Sequence, residues 1–149
     1  MKTESPDTPA ALKARALRYL VRREHSRAEL ARKLSPFAAS AEILEVVLHE
    51  LESRKQLSNE RFAEQRTHVL SRKYGAAHIR QDLKSKGVES EVIDRISSAG
   101  ELERAQVILA RKYRQPASTR EERAKRARFL QSRGFSFDVI KKLSSPREG

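Results

Sequence analysis

The feature that most constrains the fold of this chain is an internal repeat. Two segments, KSKGVESEVI around Gly87 and QSRGFSFDVI around Gly134, lie 47 residues apart. They share a basic residue, a glycine, an apolar residue and a Val-Ile pair at matching offsets. A third copy, centred on Ala38, keeps the apolar positions and lacks the glycine. Self-similarity at a fixed spacing is typical of repeat proteins, in which each unit buries its apolar face against a neighbour.

Each glycine-containing copy predicts the end of one helix, a tight turn and the start of the next helix. Glycine suits the position after a helix, where the backbone adopts a left-handed conformation. Lys86 and Arg133 fall in the last helical turn, where a cation favours the negative end of the helix dipole. Ser90 and Ser136 follow at positions where a hydroxyl can cap the next helix.

Other capping signals divide the remaining chain into helices. Capping boxes are predicted at Ser26–Glu29 and at Ser118–Glu121, and Ser40 is predicted to cap the helix after the first turn. With apolar residues at helical spacing between these signals, the sequence predicts an all-α fold, an elongated array of three tandem three-helix repeats. We expect a flexible tail, three repeats and a second flexible tail at residues 1–9, 10–57, 58–99, 100–145 and 146–149, respectively.

The third repeat is longer than the second. From Tyr113 to Gly134 there are 21 residues, whereas from Tyr74 to Gly87 there are 13, which places an eight-residue expansion around QPASTREE. The tyrosines are predicted to pack at helix ends, with stacking on a nucleobase as the functional alternative. Four phenylalanines are predicted to lie in the core: Phe62, Phe129, Phe135 and Phe137.

Composition and motifs argue against catalysis. The chain has no Cys, which excludes disulfides, cysteine zinc sites and thiol nucleophiles. Its four His form no HExxH pattern, and no Walker loop, dinucleotide turn or GxSxG elbow occurs. No apolar run is long enough to span a membrane, and the N-terminus lacks an apolar leader segment. We therefore expect a non-enzymatic cytoplasmic protein that uses no metal or other cofactor.

Positive charge is the one functional signal in the composition. Of the net charge of +12, residues 101–149 carry +7, from 13 basic and 6 acidic side chains. Such asymmetry favours a polyanion or an acidic protein surface as partner, although a charge run on one helix is more often a solvated face. The candidate contact residues are Arg72, Lys73, Arg80, Lys84, Lys86, Arg111, Lys112, Arg126, Arg128 and Arg133.

The stretches LSNERFAEQ, SRKYGAAHIRQDLKSKGV and RFLQSRGFSFDVI resemble the RecX regulatory proteins of bacteria, and the resemblance spans residues 10–145 in the same order. It implies an array of three-helix repeats and a modulator of the recombinase RecA. Three places depart from the pattern, and one of them is the segment before Asn59, where Lys55 and Gln56 stand in place of a Gly that the family often has. Asn59 stands where the family commonly has Asp, and Arg126 stands where the second repeat has the apolar Ile79.

What the resemblance implies is an inhibitor that lies in the groove of the RecA–DNA filament and limits ATP hydrolysis, strand exchange and filament growth. The implied setting is recombination, DNA repair and the SOS response. The expected partners are the RecA filament and single- or double-stranded DNA bound without sequence preference, and the expected state is a monomer. Two alternatives stay open: a DNA- or RNA-binding protein that acts without RecA, and a helical adaptor for another protein.

Overall fold

The computed structural model describes residues 5–144, and all of the regular structure in this part of the chain is helical. The α-helices are α1 (Pro9–Arg22), α2 (Arg27–Leu34), α3 (Ala41–Ser53), α4 (Asn59–Leu70), α5 (Ala76–Ser85), α6 (Ser90–Asp94), α7 (Glu101–Lys112), α8 (Arg120–Ser132) and α9 (Phe137–Ser144). A 3-10 turn at Ser35–Phe37 separates α2 from α3. The predicted fold class, all-α with three three-helix repeats in series, is confirmed.

Side-chain caps start several helices where the sequence predicts them. Ser26 and Glu29 form the predicted capping box at α2, and Ser40 accepts a hydrogen bond from the Ile43 backbone N–H at α3. Ser136 accepts from the Val139 N–H at α9, over 3.3 Å. These short polar side chains satisfy N–H groups that the first helical turn leaves without a partner.

Two predicted caps are wrong. Ser90 lies inside α6, and the backbone carbonyl of Glu89 begins the hydrogen-bond pattern of that helix. At α8 the cap is Thr119, whose hydroxyl accepts from the Glu122 N–H, one residue later than the predicted Ser118–Glu121 box. The Glu122 carboxylate then accepts from the N–H and the hydroxyl of Ser118, so the helix is capped as expected but one residue later than predicted.

Part of the predicted N-terminal tail is held in place. Thr8 caps α1, the Asp7 N–H donates to the Phe37 carbonyl over 2.8 Å, and the Asp7 carboxylate pairs with Arg15. The Arg15 guanidinium also lies 3.6 Å from the centre of the Phe37 ring. Residues 1–4 and 145–149 lie outside the described residues; they comprise the remainder of the predicted N-terminal tail, the last residue of the predicted third repeat and the predicted tail at 146–149.

The chain divides into two compact units. The first unit comprises the residues up to Gln65 together with Lys84–Ile93, and the second comprises Arg66–Leu83 together with the residues from Asp94 onward. The core of the first unit includes Leu12, Ala16, Leu30, Leu34, Val47, Leu48, Leu51 and Leu57, and that of the second includes Ala105, Ile108, Leu130, Phe135 and Val139. Helical spacing places these side chains on one face of each helix.

The four phenylalanines predicted as core differ in their burial. Phe62 and Phe135 are buried, which confirms the prediction for both. Phe129 is half-buried and packs at the edge of the second core. Phe137 is 75% exposed, so its assignment to the core is wrong. It is the first residue of α9, and Val139, two positions further along, is the side chain that this helix buries.

The first unit contains a joint at which the second repeat contacts the start of α2. The buried Ser26 hydroxyl donates to the Lys86 carbonyl over 2.7 Å. The Arg27 N–H donates to Asn59 Oδ1 over 2.8 Å, and Asn59 Nδ2 donates to the Glu89 carboxylate over 2.9 Å. The Asn59 amide can both accept from the Arg27 N–H and donate to Glu89. An Asp at this position would place a second carboxylate against Glu89, which explains the departure from the family pattern.

The second unit contains an equivalent joint, at which the third repeat contacts the start of α5. The Gly75 N–H donates to the Arg133 carbonyl over 2.7 Å. The Ala76 N–H donates to Glu101 Oε1 over 3.1 Å, and Glu101 is buried. In both joints, the first residue of a repeat's first helix, Asn59 or Glu101, caps the second helix of the preceding repeat. The carbonyl just before the glycine turn accepts from the residue that precedes that helix.

The repeated glycines make these joints possible. Gly87 and Gly134 have φ values of +78° and +86°, in the left-handed region. A Cβ atom on Gly87 would lie 2.6 Å from the Ala28 Cβ, and one on Gly134 would lie 2.5 Å from the His78 backbone N. The repeated motif therefore serves two purposes, since it ends a helix and lets one repeat approach the next.

Candidate basic interface

Eight of the ten candidate contact residues belong to the second unit. The exceptions are Lys84 and Lys86, which belong to the first. By sequence, the second unit carries 18 Lys and Arg against 8 Asp and Glu, a net charge of +10. The first unit carries 14 against 12, a net charge of +2. The positive field is therefore concentrated in one of the two compact units.

Four of the eight lie at the ends of two helices. Arg72 and Lys73 follow the last residue of α4, and Arg111 and Lys112 end α7. Arg111 Nη1 lies 3.5 Å from the Arg72 carbonyl oxygen, which brings the two helix ends together. Carbonyl groups at a helix end carry partial negative charge, so they offset part of the repulsion among the four cations.

Two cations lie against the aromatic rings around the expanded segment of the third repeat. The Arg126 guanidinium lies 4.5 Å from the centre of the Tyr113 ring, and Arg126 Nη2 donates to the Gln115 carbonyl over 2.7 Å. Lys112 Nζ lies 4.2 Å from the centre of the Phe129 ring. Tyr113 and Phe129 meet edge to face, with ring centres 6.1 Å apart. The departure at Arg126 thus replaces an apolar core contact with a cation over an aromatic ring.

Arg133 connects these rings to the start of α5. Its guanidinium lies 5.1 Å from the centre of the Phe129 ring and 5.3 Å from that of Tyr74. The Tyr74 ring stacks on His78 with centres 3.8 Å apart and planes 8° apart. We call the connected set the cation–aromatic cluster: Tyr74, His78, Lys112, Tyr113, Arg126, Phe129 and Arg133.

The other candidates lie outside this cluster. Arg80 Nη2 donates to the Ile96 carbonyl over 3.0 Å and to the Ser98 hydroxyl over 3.2 Å, so its guanidinium holds the segment before α7. Lys73 and Arg128 are exposed, as is Lys84. The half-buried Lys86 contributes its carbonyl to the first joint. The predicted set therefore separates into a connected group, one structural arginine and scattered surface cations.

The eight candidates in the second unit lack ion-pair partners: within residues 5–144, none of them forms an ion pair with a carboxylate. In the first unit, by contrast, Arg27 pairs with both Glu45 and Glu52, and Arg61 pairs with Glu24. A guanidinium that rests on an aromatic ring keeps its full charge and most of its hydrogen-bond donors. Such a surface is suited to an anionic partner.

Glu122, which lies four residues before Arg126 on α8, accepts hydrogen bonds from Ser118. The pKa of Glu122 is lowered, first by the hydrogen bond from the Ser118 N–H and then by that from the Ser118 hydroxyl, with a further contribution from the charge of Arg126. The carboxylate therefore stays ionised and serves the start of α8. Its charge acts on Arg126 without a direct ion pair between the two side chains.

Sequence reasoning missed two members of the cluster, His78 and Phe129. Both lie four residues from a partner in the sequence, His78 after Tyr74, which precedes α5, and Phe129 before Arg133 at the end of α8. Side chains at this spacing are neighbours on a helix surface. A search for aromatic residues four positions from a cation or another ring would have found Phe129 and His78.

Other kinds of site find little support between residues 5 and 144. That part of the chain brings together no group of three or more His, Cys, Asp or Glu side chains able to hold a metal ion. None of its helices combines the length and the apolar character that a membrane span requires.

Comparison with known proteins assigns the chain to a family. Models of the first, second and third three-helix domains of RecX match residues 13–51, 58–95 and 99–143. The regulatory protein RecX of Herbaspirillum seropedicae is 47% identical over 91% of this chain and 90% of its own length. That of Ralstonia nicotianae is 43% identical over 93% and 89%.

Solved structures agree with this assignment at the level of the fold. The crystal structure of RecX from Lactobacillus salivarius superimposes with a TM-score of 0.79 at 20% identity, covering 91% of this chain and 93% of that one. A second crystal structure of a regulatory protein RecX gives 0.72 at 23% identity, covering 96% and 81%. The three repeats, the matched domain models and the relatives together show that the chain belongs to the RecX family of regulatory proteins.

Proposed function

We propose that this chain regulates RecA by binding in the groove of the RecA–DNA filament, where it limits ATP hydrolysis, strand exchange and filament growth. The observation that supports the proposal is the net charge of +10 on the second unit of a protein whose relatives are named regulatory proteins. We place the function in the cytoplasm, in recombination, DNA repair and the SOS response. We further propose a monomer that acts without catalysis and without a cofactor.

The proposed mechanism is many weak contacts with a repeating partner. Cations of the second unit contact phosphates of the DNA or acidic side chains of successive RecA subunits. Linked contacts add affinity because each later contact forms within an already bound complex. Such binding holds neighbouring subunits in one arrangement, and that opposes the changes that accompany ATP turnover. Because phosphate contacts carry no sequence information, binding to DNA is expected to be independent of sequence.

The cation–aromatic cluster also favours a second function, binding of nucleic acid without RecA. Cations beside exposed rims of aromatic rings are common in proteins that bind single strands, where bases stack and phosphates meet guanidinium groups. This alternative predicts tight binding to bare DNA or RNA with a steep dependence on salt. A helical adaptor for another protein would instead bind DNA weakly and leave RecA unaffected.

One experiment separates the three functions. The DNA-dependent ATPase of RecA is measured while the protein is titrated, and binding of the protein to the same DNA without RecA is measured across salt concentrations. The proposed function predicts inhibition at protein amounts well below those that coat the DNA. Inhibition that appears only when the DNA is coated would support the nucleic-acid-binding alternative. No inhibition together with weak DNA binding would leave the adaptor.

A further inference from the structure

The second unit contains a cavity that the cation–aromatic cluster only borders. Its volume is about 570 Å³, which falls within the range of small-ligand sites. It lies between the end of α7, the expanded segment of the third repeat, the first turns of α8 and the end of α9. Its lining residues are Leu109, Ala110, Tyr113, Arg114, Gln115, Pro116, Ala117, Arg123, Arg126 and Leu143.

The lining combines three guanidinium groups with an aliphatic surface. Arg114, Arg123 and Arg126 supply the charge, and no carboxylate is among the lining residues. Arg126 is held in place by the Gln115 carbonyl and the Tyr113 ring. Arg114 and Arg123 form no ion pair within residues 5–144. Three unneutralised guanidinium groups around one cavity repel each other, and a bound anion would relieve that repulsion.

The cavity is a property of the third repeat rather than of the repeat design. In the second repeat, Tyr74 is followed directly by Gly75 and α5, which leaves no segment to enclose a space. In the third repeat, residues 114–119 separate Tyr113 from α8. The expansion found in the sequence is therefore the element that builds this cavity, and it supplies three of the lining residues that follow Arg114.

The cavity also adjoins a position that is covered in the other two repeats. The starts of α2 and α5 each contact the following repeat through the two joints. The start of α8 instead makes a local cap, and residues 118–122 are exposed. Where the earlier repeats contact another part of this chain, the third repeat has an exposed, locally capped helix start beside a cationic cavity.

The lining chemistry selects among anionic ligands. Guanidinium groups bind carboxylates and phosphates with paired hydrogen bonds. A nucleotide would also need a flat ring on which its base could stack, and Tyr113, the one ring in the lining, already has Arg126 over it. The aliphatic surface of Leu109, Ala110 and Leu143 is suited to a side chain such as Leu or Ile.

We propose that this cavity binds an acidic and hydrophobic peptide segment of a protein partner. Carboxylates of the segment lie on Arg114, Arg123 and Arg126, and an aliphatic side chain lies against Leu109 and Leu143. The inference rests on the proposed function only for the identity of the partner, which would be the filament protein. It assigns protein recognition to the cavity and leaves DNA to the more exposed cations of the second unit.

Titration of the ¹⁵N-labelled full chain with a probe peptide tests the proposal in the absence of RecA and DNA. The probe is an acetylated peptide of alternating Leu and Glu, and separate titrations use inorganic phosphate and a short oligothymidylate. We expect the peptide to shift the amide signals of Ala110, Ala117 and Leu143 with saturation. Phosphate and oligothymidylate should leave these three signals unmoved at the same concentrations.

Matched variants separate the cavity from general charge. The double variant Arg114→Gln/Arg123→Gln should weaken peptide binding at least about fivefold, corresponding to about 1 kcal/mol by the usual conversion. Arg120→Gln/Lys125→Gln removes the same charge from exposed positions of α8 that do not line the cavity, and should change affinity less than about twofold. Ala117→Leu keeps all three guanidinium groups and should also weaken binding, because it fills the space.

Three results would overturn the proposal. One is saturable shifts with oligothymidylate or phosphate but not with the peptide, which would make the cavity a nucleic-acid phosphate site. Another is no shift with any probe, and the third is equal loss of affinity in the two double variants. None of these results bears on inhibition of the RecA ATPase by the wild-type chain, so a failure here is distinguishable from a failure of the proposed function.

Discussion

The two compact units contain equivalent joints but place several of their arginines differently, although the second unit also contains the ion pair Arg66–Asp82. In the first unit, arginines such as Arg27 and Arg61 are paired with carboxylates. In the second unit, Arg126 and Arg133 lie over aromatic rings and form no ion pair within the described residues. A paired charge is largely cancelled at a distance, whereas a cation on a ring still attracts an anion. The repeated architecture therefore determines the backbone contacts at the joints, whereas the charged side chains on the surface differ between the two units.

The largest effect is expected from the glycine of the second joint. Gly134→Ala adds left-handed strain, about 1–2 kcal/mol, and places a methyl group against the backbone of α5. We expect the free energy of unfolding to fall by about 2–5 kcal/mol, measured by urea titration with far-ultraviolet circular dichroism. Gly100→Ala is the matched control, because Gly100 has a φ of +75° and its nearest atom would be 3.9 Å away.

The first joint sharpens this comparison because its clash can be relieved. A Cβ atom on Gly87 would meet the side chain of Ala28, so Gly87→Ala should destabilise and Ala28→Gly should restore part of the loss in the double variant. No such rescue exists for Gly134, whose obstacle is a backbone atom. If Gly134→Ala and Gly100→Ala cost the same, close approach of the repeats at the second joint would be refuted.

A smaller effect is expected on DNA binding when the cations of the second unit are neutralised. Substitution of Arg72, Arg111 and Arg133 by Gln should lower the slope of log affinity against log salt by about 3, since each phosphate contact contributes roughly 0.9. The same variant should weaken inhibition of the RecA ATPase. The control neutralises three exposed arginines of the first unit and removes the same total charge: Arg18, Arg22 and Arg32.

The control decides whether position or net charge matters. We expect the first-unit triple variant to keep most of the salt slope and the ATPase inhibition. Equal losses in the two triple variants would mean that the chain acts as a diffuse polycation, and the contrast between the units would then have no functional meaning. Circular dichroism spectra confirm that each variant is folded before the comparison is made.

The smallest effect is a pH dependence of stability expected from the first unit. Burial lowers the pKa of His25, which is 1% exposed, donates from Nδ1 to the Arg23 carbonyl and accepts from Lys33 at Nε2. Because the unfolded chain takes up the proton more readily, stability present above pH 6.5 is lost as the pH falls towards the lowered pKa. Urea titrations at a series of pH values measure this loss.

A second group in the same unit acts at lower pH. Burial raises the pKa of Glu29, but hydrogen bonds from Arg23 and from the Ser26 N–H lower it. Together with the nearby positive charges they outweigh burial, so the pKa lies below its ordinary value. Its contribution is present above pH 4.5 and is lost as the pH falls below that value. His25→Asn should therefore remove the first loss and keep the second, and Glu29→Gln should do the reverse. A His25→Asn variant with an unchanged profile near pH 6 would contradict this assignment.

Some of this structure could be predicted because it depends on local backbone chemistry. The turn at Gly134 needs a left-handed residue, and the box at Ser26 needs a hydroxyl three residues before Glu29, so both are legible in a single sequence. The contact of Asn59 with the Arg27 N–H was not predictable, because it joins residues 32 positions apart that no periodic pattern links. Sequence alone shows which residues end a helix, but not which other helix start they contact.

The candidate site was also predictable only in part. Composition and clustering indicated Arg126 and Arg133, since charge is visible residue by residue. Their aromatic partners were not predicted, because Phe129 was assigned to the core and only packing around the expanded segment leaves it half-buried. Arg80 was predicted as a contact for the same reason as the others, yet it donates to the Ile96 carbonyl. Spacing shows which cations share a helix face, and tertiary packing decides which of them are occupied.

The two joints connect consecutive repeats in the same order along the chain. In each joint, the start of a repeat's second helix provides the hydrogen-bond donors. The next repeat provides the acceptors, which are the side chain of the first residue of its first helix and a carbonyl at its glycine turn. The middle repeat carries both the donors and the acceptors, so gene duplication could lengthen such a chain without inventing a new interface. Nearest-neighbour coupling of this kind makes folding additive along the array. A chain cut after residue 99 would lose the acceptors that satisfy the N–H groups at the start of α5, while the start of α2 would keep its partners.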